Sequence, residues 1–203
     1  MRKANYEYAH ANNFMRNKYF LLRHGETIYQ VKKRKMIYPW PEKKPIKLTK
    51  NGQKQIKKAA KILKKKKIDL IYSSDIFRTR QTAGIVAKEL GKKTLFDKRL
   101  RDVNLGIYNG KTKEEFFKYF PRDSRERFYK RPKNGESWSD CQKRMLNFLK
   151  ETDKKYKGKN ILIISHGDPF MLLEEAVKKW SIPKLLKNMR TNFFKLGEIR
   201  KLN

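Results

Sequence analysis

Two of the chain's three histidines stand in the same setting, in Arg23-His24-Gly25 and Ser165-His166-Gly167, each after an apolar run of strand type and before a turn. A single histidine at a strand end is most often a satisfied surface or core residue. Two in matched contexts, one beside an arginine, argue instead for a shared crevice at neighbouring strand ends of an open α/β sheet, where such folds bind ligands. Arg78 and Arg80 add two cations in the first turn of a helix, read from the stripe Thr82, Ala83, Val86 and Leu90 and stopped by Gly91. Cations oppose the helix dipole there, so at least one is expected to be held for an anion. If the sheet gathers Arg23, His24, Arg78 and His166, two guanidinium forks and one imidazole supply donors for the three non-bridging oxygens of a phosphoryl group. The other imidazole is then free to attack phosphorus. Such a transfer needs in-line positioning and compensation of charge, which cationic side chains supply without a metal. No convincing metal-ligand spacing occurs, and His10 is isolated in a polar stretch.

The elements that must position these residues are legible in outline. Strands are expected at 18–22, 68–72, 94–96 and 160–164. A helix opened by Thr49 shows Ile56, Ala59, Ala60 and Leu63 at helical spacing, and another follows 134–137 with Trp138, Cys141, Met145, Phe148, Leu149 and Tyr156 on one side. Pro169 suits the first turn of a helix running to about residue 180. Prolines 39, 41 and 45 exclude a regular helix between the first strand and Thr49. Ser73-Ser74-Asp75 reads as a cluster of helix N-cap types. Residues 112–132 are basic and aromatic and read as one short helix with a cap over the crevice, in which Arg122, Arg125 and Arg127 are candidates to grip additional phosphates or carboxylates. Residues 193–196 and 198–202, split by Gly197, read as a closing pair of strands. With no internal repeat and no linker, the expectation is one domain over 18–203, preceded by an extension of 1–17 that frays or lies along the surface.

Lys and Arg number 53 against 20 acidic residues, a formal net charge of +33 in 203 residues. Such a field attracts polyanions. The lysines fall in runs such as 64–67 and on outer helix faces, without the interleaved aromatics that stack bases, so a solvated face is favoured over a nucleic-acid site. Cys141 is the only cysteine and sits in an amphipathic pattern as a small core residue. The N-terminal stretch lacks the apolar core of a secretory signal, and no apolar run approaches the roughly 20 residues of a membrane span. A cytoplasmic protein without a membrane partner is expected.

Beyond the histidines, an ordered set of motifs is present: Leu22-Arg23-His24-Gly25-Glu26-Thr27, Leu48-Thr49-Lys50-Asn51-Gly52-Gln53, Ile71-Tyr72-Ser73-Ser74-Asp75 with Arg78-Thr79-Arg80-Gln81-Thr82-Ala83, Leu100-Arg101-Asp102 through Gly106 and Gly110, Asn134-Gly135-Glu136-Ser137, and Ile163-Ile164-Ser165-His166-Gly167. In order and spacing, from about residue 18 to 200, the chain resembles the histidine phosphatase superfamily, which includes cofactor-dependent phosphoglycerate mutase. The resemblance implies a three-layer α/β/α sandwich with a mostly parallel sheet. It also implies transient phosphorylation of His24, and a phosphate pocket of Arg23, Arg78 and His166. Cationic neighbours in such a pocket should lower the pKa of His24 and keep it nucleophilic. Where the family usually has a glutamate that protonates the leaving oxygen, this chain has Asp102, shorter by one carbon, about 1.5 Å of reach. Asp168, just beyond the second histidine, is the rival acid, and Asp102 is favoured. Gln30 stands where relatives use an asparagine on phosphate and is counted as a weak phosphate contact.

The leading expectation is a metal-independent phosphomonoesterase, without cofactor, acting on a phosphorylated metabolite through phospho-His24. A phosphoglycerate mutase is the second reading, disfavoured because that branch carries longer insertions than the stretch between Gly110 and Asn134. A basic RNA-binding or polyanion-binding scaffold is the third, and rests on net charge alone. Oligomeric state is not read from the sequence.

Overall fold

The computed structural model of the protein describes residues 15–122 and 124–203. In chain order its elements are β1 (Lys18–Arg23), α1 (Ile28–Val31), α2 (Lys50–Lys64), β2 (Leu70–Ser73), α3 (Phe77–Leu90), β3 (Thr94–Phe96), α4 (Lys113–Tyr119), α5 (Trp138–Lys155), β4 (Asn160–Ser165), α6 (Gly167–Lys178), α7 (Ile182–Thr191) and β5 (Ile199–Lys201). The five strands form one sheet in the order β3-β2-β4-β1-β5, parallel except where β5 runs antiparallel to β1.

Alternation along the central strands accounts for the layers. Tyr19, Leu21, Ile161 and Ile163 enter a core shared with α5 and α6, where Trp138, Met145, Phe148, Phe170 and Leu173 pack. Phe20, Leu22, Leu162 and Ile164 enter the opposite core with Ile56, Ala60 and Leu63 of α2 and Ala83 and Val86 of α3. Strands buried on both faces are what a central parallel position demands. The expected three-layer α/β/α sandwich is therefore the observed architecture.

The register places the chemistry. Arg23 pairs with Ser165 across β1 and β4, so His24 and His166 leave the sheet side by side at its C-terminal edge. The His24 amide donates to Ser165 O at 3.1 Å, and the Ser74 amide, just beyond β2, donates to Ile164 O at 2.9 Å. Gly25 lets the His24 turn lie directly on the start of α2, because a Cβ there would meet Gly52 O at 2.7 Å. Gly52 is equally confined, by the backbone of Glu26.

Four local expectations need revision. The N-cap of α3 is Ile76, which has no side-chain cap bond; Ser74 instead faces His166, and Asp75 pairs with Arg101. The closing pair of strands is one strand, β5, preceded by a turn in which Phe194 is buried. Residues 182–191 form α7, capped by Ser181 and with a proline in its first turn, an element the sequence reading left unassigned. α1 is a single turn held by a Thr27–Gln30 capping box. Of the N-terminal extension, Met15 packs on the main core, and Arg16 and Asn17 bond to Asp153 and Tyr156 beyond or at the end of α5. His10 and the rest of it lie outside the described residues.

Candidate active site

His24 is 1% exposed, and its Nδ1 lies 2.8 Å from Gly25 O. A carbonyl only accepts, so Nδ1 carries the hydrogen and Nε2 keeps its lone pair, the arrangement a nucleophile requires. Burial, and then the charges of Arg78 and Arg23, lower the His24 pKa well below the ordinary histidine value. The His166 ring stands 5.3 Å away at 61° and is likewise held neutral by burial and Arg78. Arg78 Nη2 is 3.1 Å from His166 Nδ1, which must accept because a guanidinium only donates. The His166 proton therefore sits on Nε2 and is donated to Ser74 Oγ at 3.1 Å.

Arg78, 1% exposed, reaches the same place from the first turn of α3. Its Nη1 donates to Glu42 at 2.8 Å, its Nη2 to Asp102 at 3.1 Å, and the Tyr38 ring lies 3.8 Å from its Cζ. Arg23 donates through Nη1 to Phe194 O and stacks over Phe193 at 5.1 Å. Among the described residues, the Nε atoms of Arg23 and Arg78 are buried donors with no partner. Two orphaned cationic donors beside a neutral imidazole fit an anion, since buried donors left unpaired are costly.

Asp102 completes the group. Its Oδ2 is 3.5 Å from His166 Nδ1, and burial in the cleft raises its pKa against the pull of Arg78, although 31% of its side chain remains open to solvent. The loop carrying it is fixed by Arg144, which donates to the backbone oxygens of Asp102 at 3.0 Å and Arg101 at 2.8 Å and is paired with Glu136 at 2.6 Å. Asp168 lines the same cleft and pairs with Arg127 at 3.4 Å. Gln30 is engaged by its neighbours: its Oε1 accepts from the Thr27 amide at 2.9 Å, and its Nε2 donates to Tyr38 Oη at 2.8 Å.

Arg23, Gln30, Arg78, Asp102 and Asp168 line a cavity of about 680 Å³; His24 and His166, almost fully buried beside Arg78, are not among its lining residues. Ile37, Phe116 and Phe117 also line the cavity, packed in a small hydrophobic cluster with Phe120 and Tyr108. Arg122 and Arg127 line the cavity, whereas Arg125 does not. Glu42, Tyr38, Arg144 and Lys113 also belong to the site or its support and were not singled out from the sequence. For Glu42 and Tyr38 a signal existed: Tyr38, Trp40 and Glu42 are an aromatic, an aromatic and an acid at every second position in an otherwise lysine-rich loop.

The profile of the histidine phosphatase superfamily (branch 1) matches residues 19–193. The chain belongs to that family. Phosphoserine phosphatase 1 of Hydrogenobacter thermophilus is 30% identical over 127 residues, 60% of this chain and 60% of that protein, so the match spans less than two thirds of that relative's length. Phosphoglycerate mutase-like protein 4 of Arabidopsis thaliana is 30% identical over 185 residues, covering 87% and 78% of the two chains. Among solved structures, YhfR of Bacillus stearothermophilus superposes with a TM-score of 0.73 at 27% identity, over 89% of this chain and 87% of that one. Among the described residues, this histidine phosphatase has no helix long and apolar enough to cross a membrane.

Proposed function

We propose that this histidine phosphatase hydrolyses phosphomonoesters through a phosphohistidine on His24, and that its substrates carry a second anionic group. The reaction reading rests chiefly on one observation, the unpartnered buried Nε atoms of Arg23 and Arg78 beside a neutral His24 whose Nδ1 is already committed to Gly25 O. His24 Nε2 attacks phosphorus as the ester oxygen departs on the opposite side, and Arg23, Arg78 and His166 take the equatorial oxygens. Asp102 in its protonated form, which burial favours by raising its pKa, gives its proton to the leaving oxygen, releasing the alcohol. The resulting carboxylate then takes a proton from water as that water attacks the phosphohistidine, which returns neutral His24, protonated Asp102 and inorganic phosphate. For His166 to donate, a phosphoryl oxygen must replace Arg78 at Nδ1; rotation of the Ser74 hydroxyl then lets it donate to Nε2 while the His166 proton resides on Nδ1.

The second anion follows from charge. Nine Lys and Arg side chains line the cavity against four Asp and Glu, a surplus that a phosphate dianion only partly offsets. Lys113 is the informative member: half-buried, its pKa is lowered first by burial and then by the charges of Arg122 and Arg23. A carboxylate or second phosphate beside Lys113 and Arg122 relieves that crowding. Gln30 lines the cavity and has an amide N–H beyond the one given to Tyr38, and it is kept as a weak phosphate contact.

Phosphate release from phosphoserine, 3-phosphoglycerate and p-nitrophenyl phosphate, measured in a chelator, tests both parts. Turnover is expected to survive the chelator and to vanish in His24→Ala. Lys113→Met should raise KM about 10-fold for the first two substrates and leave p-nitrophenyl phosphate nearly unchanged. Isomerisation of 3-phosphoglycerate without net phosphate release would make the protein a mutase instead.

A further inference from the structure

A strap of residues 35–46 lines the cavity through residues 36–40 and 42. Backbone hydrogen bonds pin it to the loop before α4: the amide of Ile37 donates to Lys111 O at 2.8 Å, Lys113 to Lys35 O at 2.7 Å and Gly110 to Tyr38 O at 3.2 Å. Three alternate residues of the strap each engage an arginine. Tyr38 lies against Arg78 at 3.8 Å, Trp40 against Arg101 at 4.7 Å, and Glu42 pairs with Arg78 at 2.8 Å. Glu42 is not a loose side chain reaching in from solvent. Only 9% of it is exposed, and its carboxylate also receives a backbone hydrogen bond from Ile46 within the same strap. Tyr38 is tied down as well, its Oη lying 2.7 Å from Thr27 Oγ1 and 2.8 Å from Gln30 Nε2.

We infer that Glu42 and Tyr38 are positioning residues that set the plane of the Arg78 guanidinium for a phosphoryl group. Glu42 holds Nη1, Asp102 holds Nη2 and Tyr38 covers one face, which fixes the guanidinium plane and leaves Nε as the nitrogen without a partner, whether or not His166 keeps its contact to Nη2. A long arginine ordered before the ligand arrives loses little freedom on binding it, and preorganised charge is what stabilises the transferring group. The inference rests on the phosphate-pocket reading of Arg78. The opposite role is also definite: a carboxylate that merely occupies the anion's place would compete with phosphate rather than prepare for it.

Calorimetric titration with inorganic phosphate, on wild type, Glu42→Ala and Glu42→Gln, separates these roles without needing turnover. Positioning predicts about 10-fold or greater loss of phosphate affinity in Glu42→Ala. Most of that loss should be recovered in Glu42→Gln, which keeps an acceptor for Nη1, with a thermal midpoint close to wild type in both. A loss in Glu42→Ala that Glu42→Gln does not recover, or phosphate binding by Glu42→Ala as tight as wild type or tighter, overturns the inference. Glu42-dependent phosphate binding in a protein that hydrolyses nothing would refute the proposed reaction and leave this inference standing.

Discussion

At the scale of single residues, two acids are candidates for the proton, and they hold different partners. Asp102 shares Arg78 with His166, whereas Asp168 is drawn to Arg127, itself stacked 4.0 Å over Trp138. Asp102→Asn is therefore expected to slow alkyl phosphates by about 10²- to 10⁴-fold, the usual worth of a general acid. First-turnover release of p-nitrophenol should be nearly intact in the same variant, because that leaving group departs without a proton. Stopped-flow comparison of the two substrates reads the difference, and an equal loss on both would remove Asp102 from the role. If Asp168→Asn shows the leaving-group signature instead, the rival acid is the donor. The chemistry-bearing residues were the most legible part of the chain, since two histidines after matched apolar runs force their own juxtaposition once the strands pair. The strap carboxylate Glu42 and the Arg144–Glu136 lock escaped because each acts on a partner more than five positions away, by contacts that no local period announces.

At the scale of elements, the site depends on α2 lying against the His24 turn. Thr49 caps that helix, accepting from the Gly52 amide at 2.9 Å, and donates to Glu26 at 2.7 Å, so cap and turn are one unit. Gly52→Ala inserts a Cβ into the Glu26 backbone. The expected cost is about 1–3 kcal/mol of stability, read as a lower thermal midpoint, with kcat/KM falling because the turn carrying His24 must move. An unchanged midpoint would mean that α2 is not seated as described. The same scale shows why some elements were readable and others were not. α2 and α5 present long apolar stripes and appeared where expected, as did β1 and β4, which are buried on both faces. α7 carries a clear helical stripe, Ile182, Leu185, Leu186 and Met189, opened by Ser181 and Pro183, so its signal was present in the sequence although no helix was assigned there. Ser73-Ser74-Asp75 has cap-type residues, but tertiary partners claimed Ser74 and Asp75, leaving α3 to start without a side-chain cap.

At the scale of the whole molecule, burying two neutral histidines ties stability to pH. In the unfolded chain a histidine titrates near pH 6.5, whereas burial and cationic neighbours hold His24 and His166 well below that when folded. Between those values the unfolded state binds more protons, so the contribution is fully present above pH 6.5 and is lost as pH falls. The slope reaches about 1.4 kcal/mol per pH unit for each histidine. Asp102, raised rather than lowered, works in the opposite sense: its contribution is present below the unfolded aspartate value near 3.8 and lost as pH rises through its folded pKa. Urea unfolding between pH 5.5 and 7.5 should show stability falling toward acid, with a shallower slope in His24→Asn; a flat profile would mean that the histidines titrate in the folded state as they do in the unfolded chain. The net charge of +33 leaves a polyanion partner open to the same scrutiny, since RNA binding that is steep in salt and indifferent to His24 would give the surface a role apart from the cleft. The central claim is tested most directly by quenching the enzyme during turnover of a phosphomonoester in chelator and locating the trapped phosphate by mass spectrometry and ³¹P NMR. An acid-labile, base-stable phosphoryl group on Nε2 of His24, absent from His24→Ala, is expected; full turnover with no phosphorylated histidine, or with the phosphate on another residue, would rule out the phosphohistidine route.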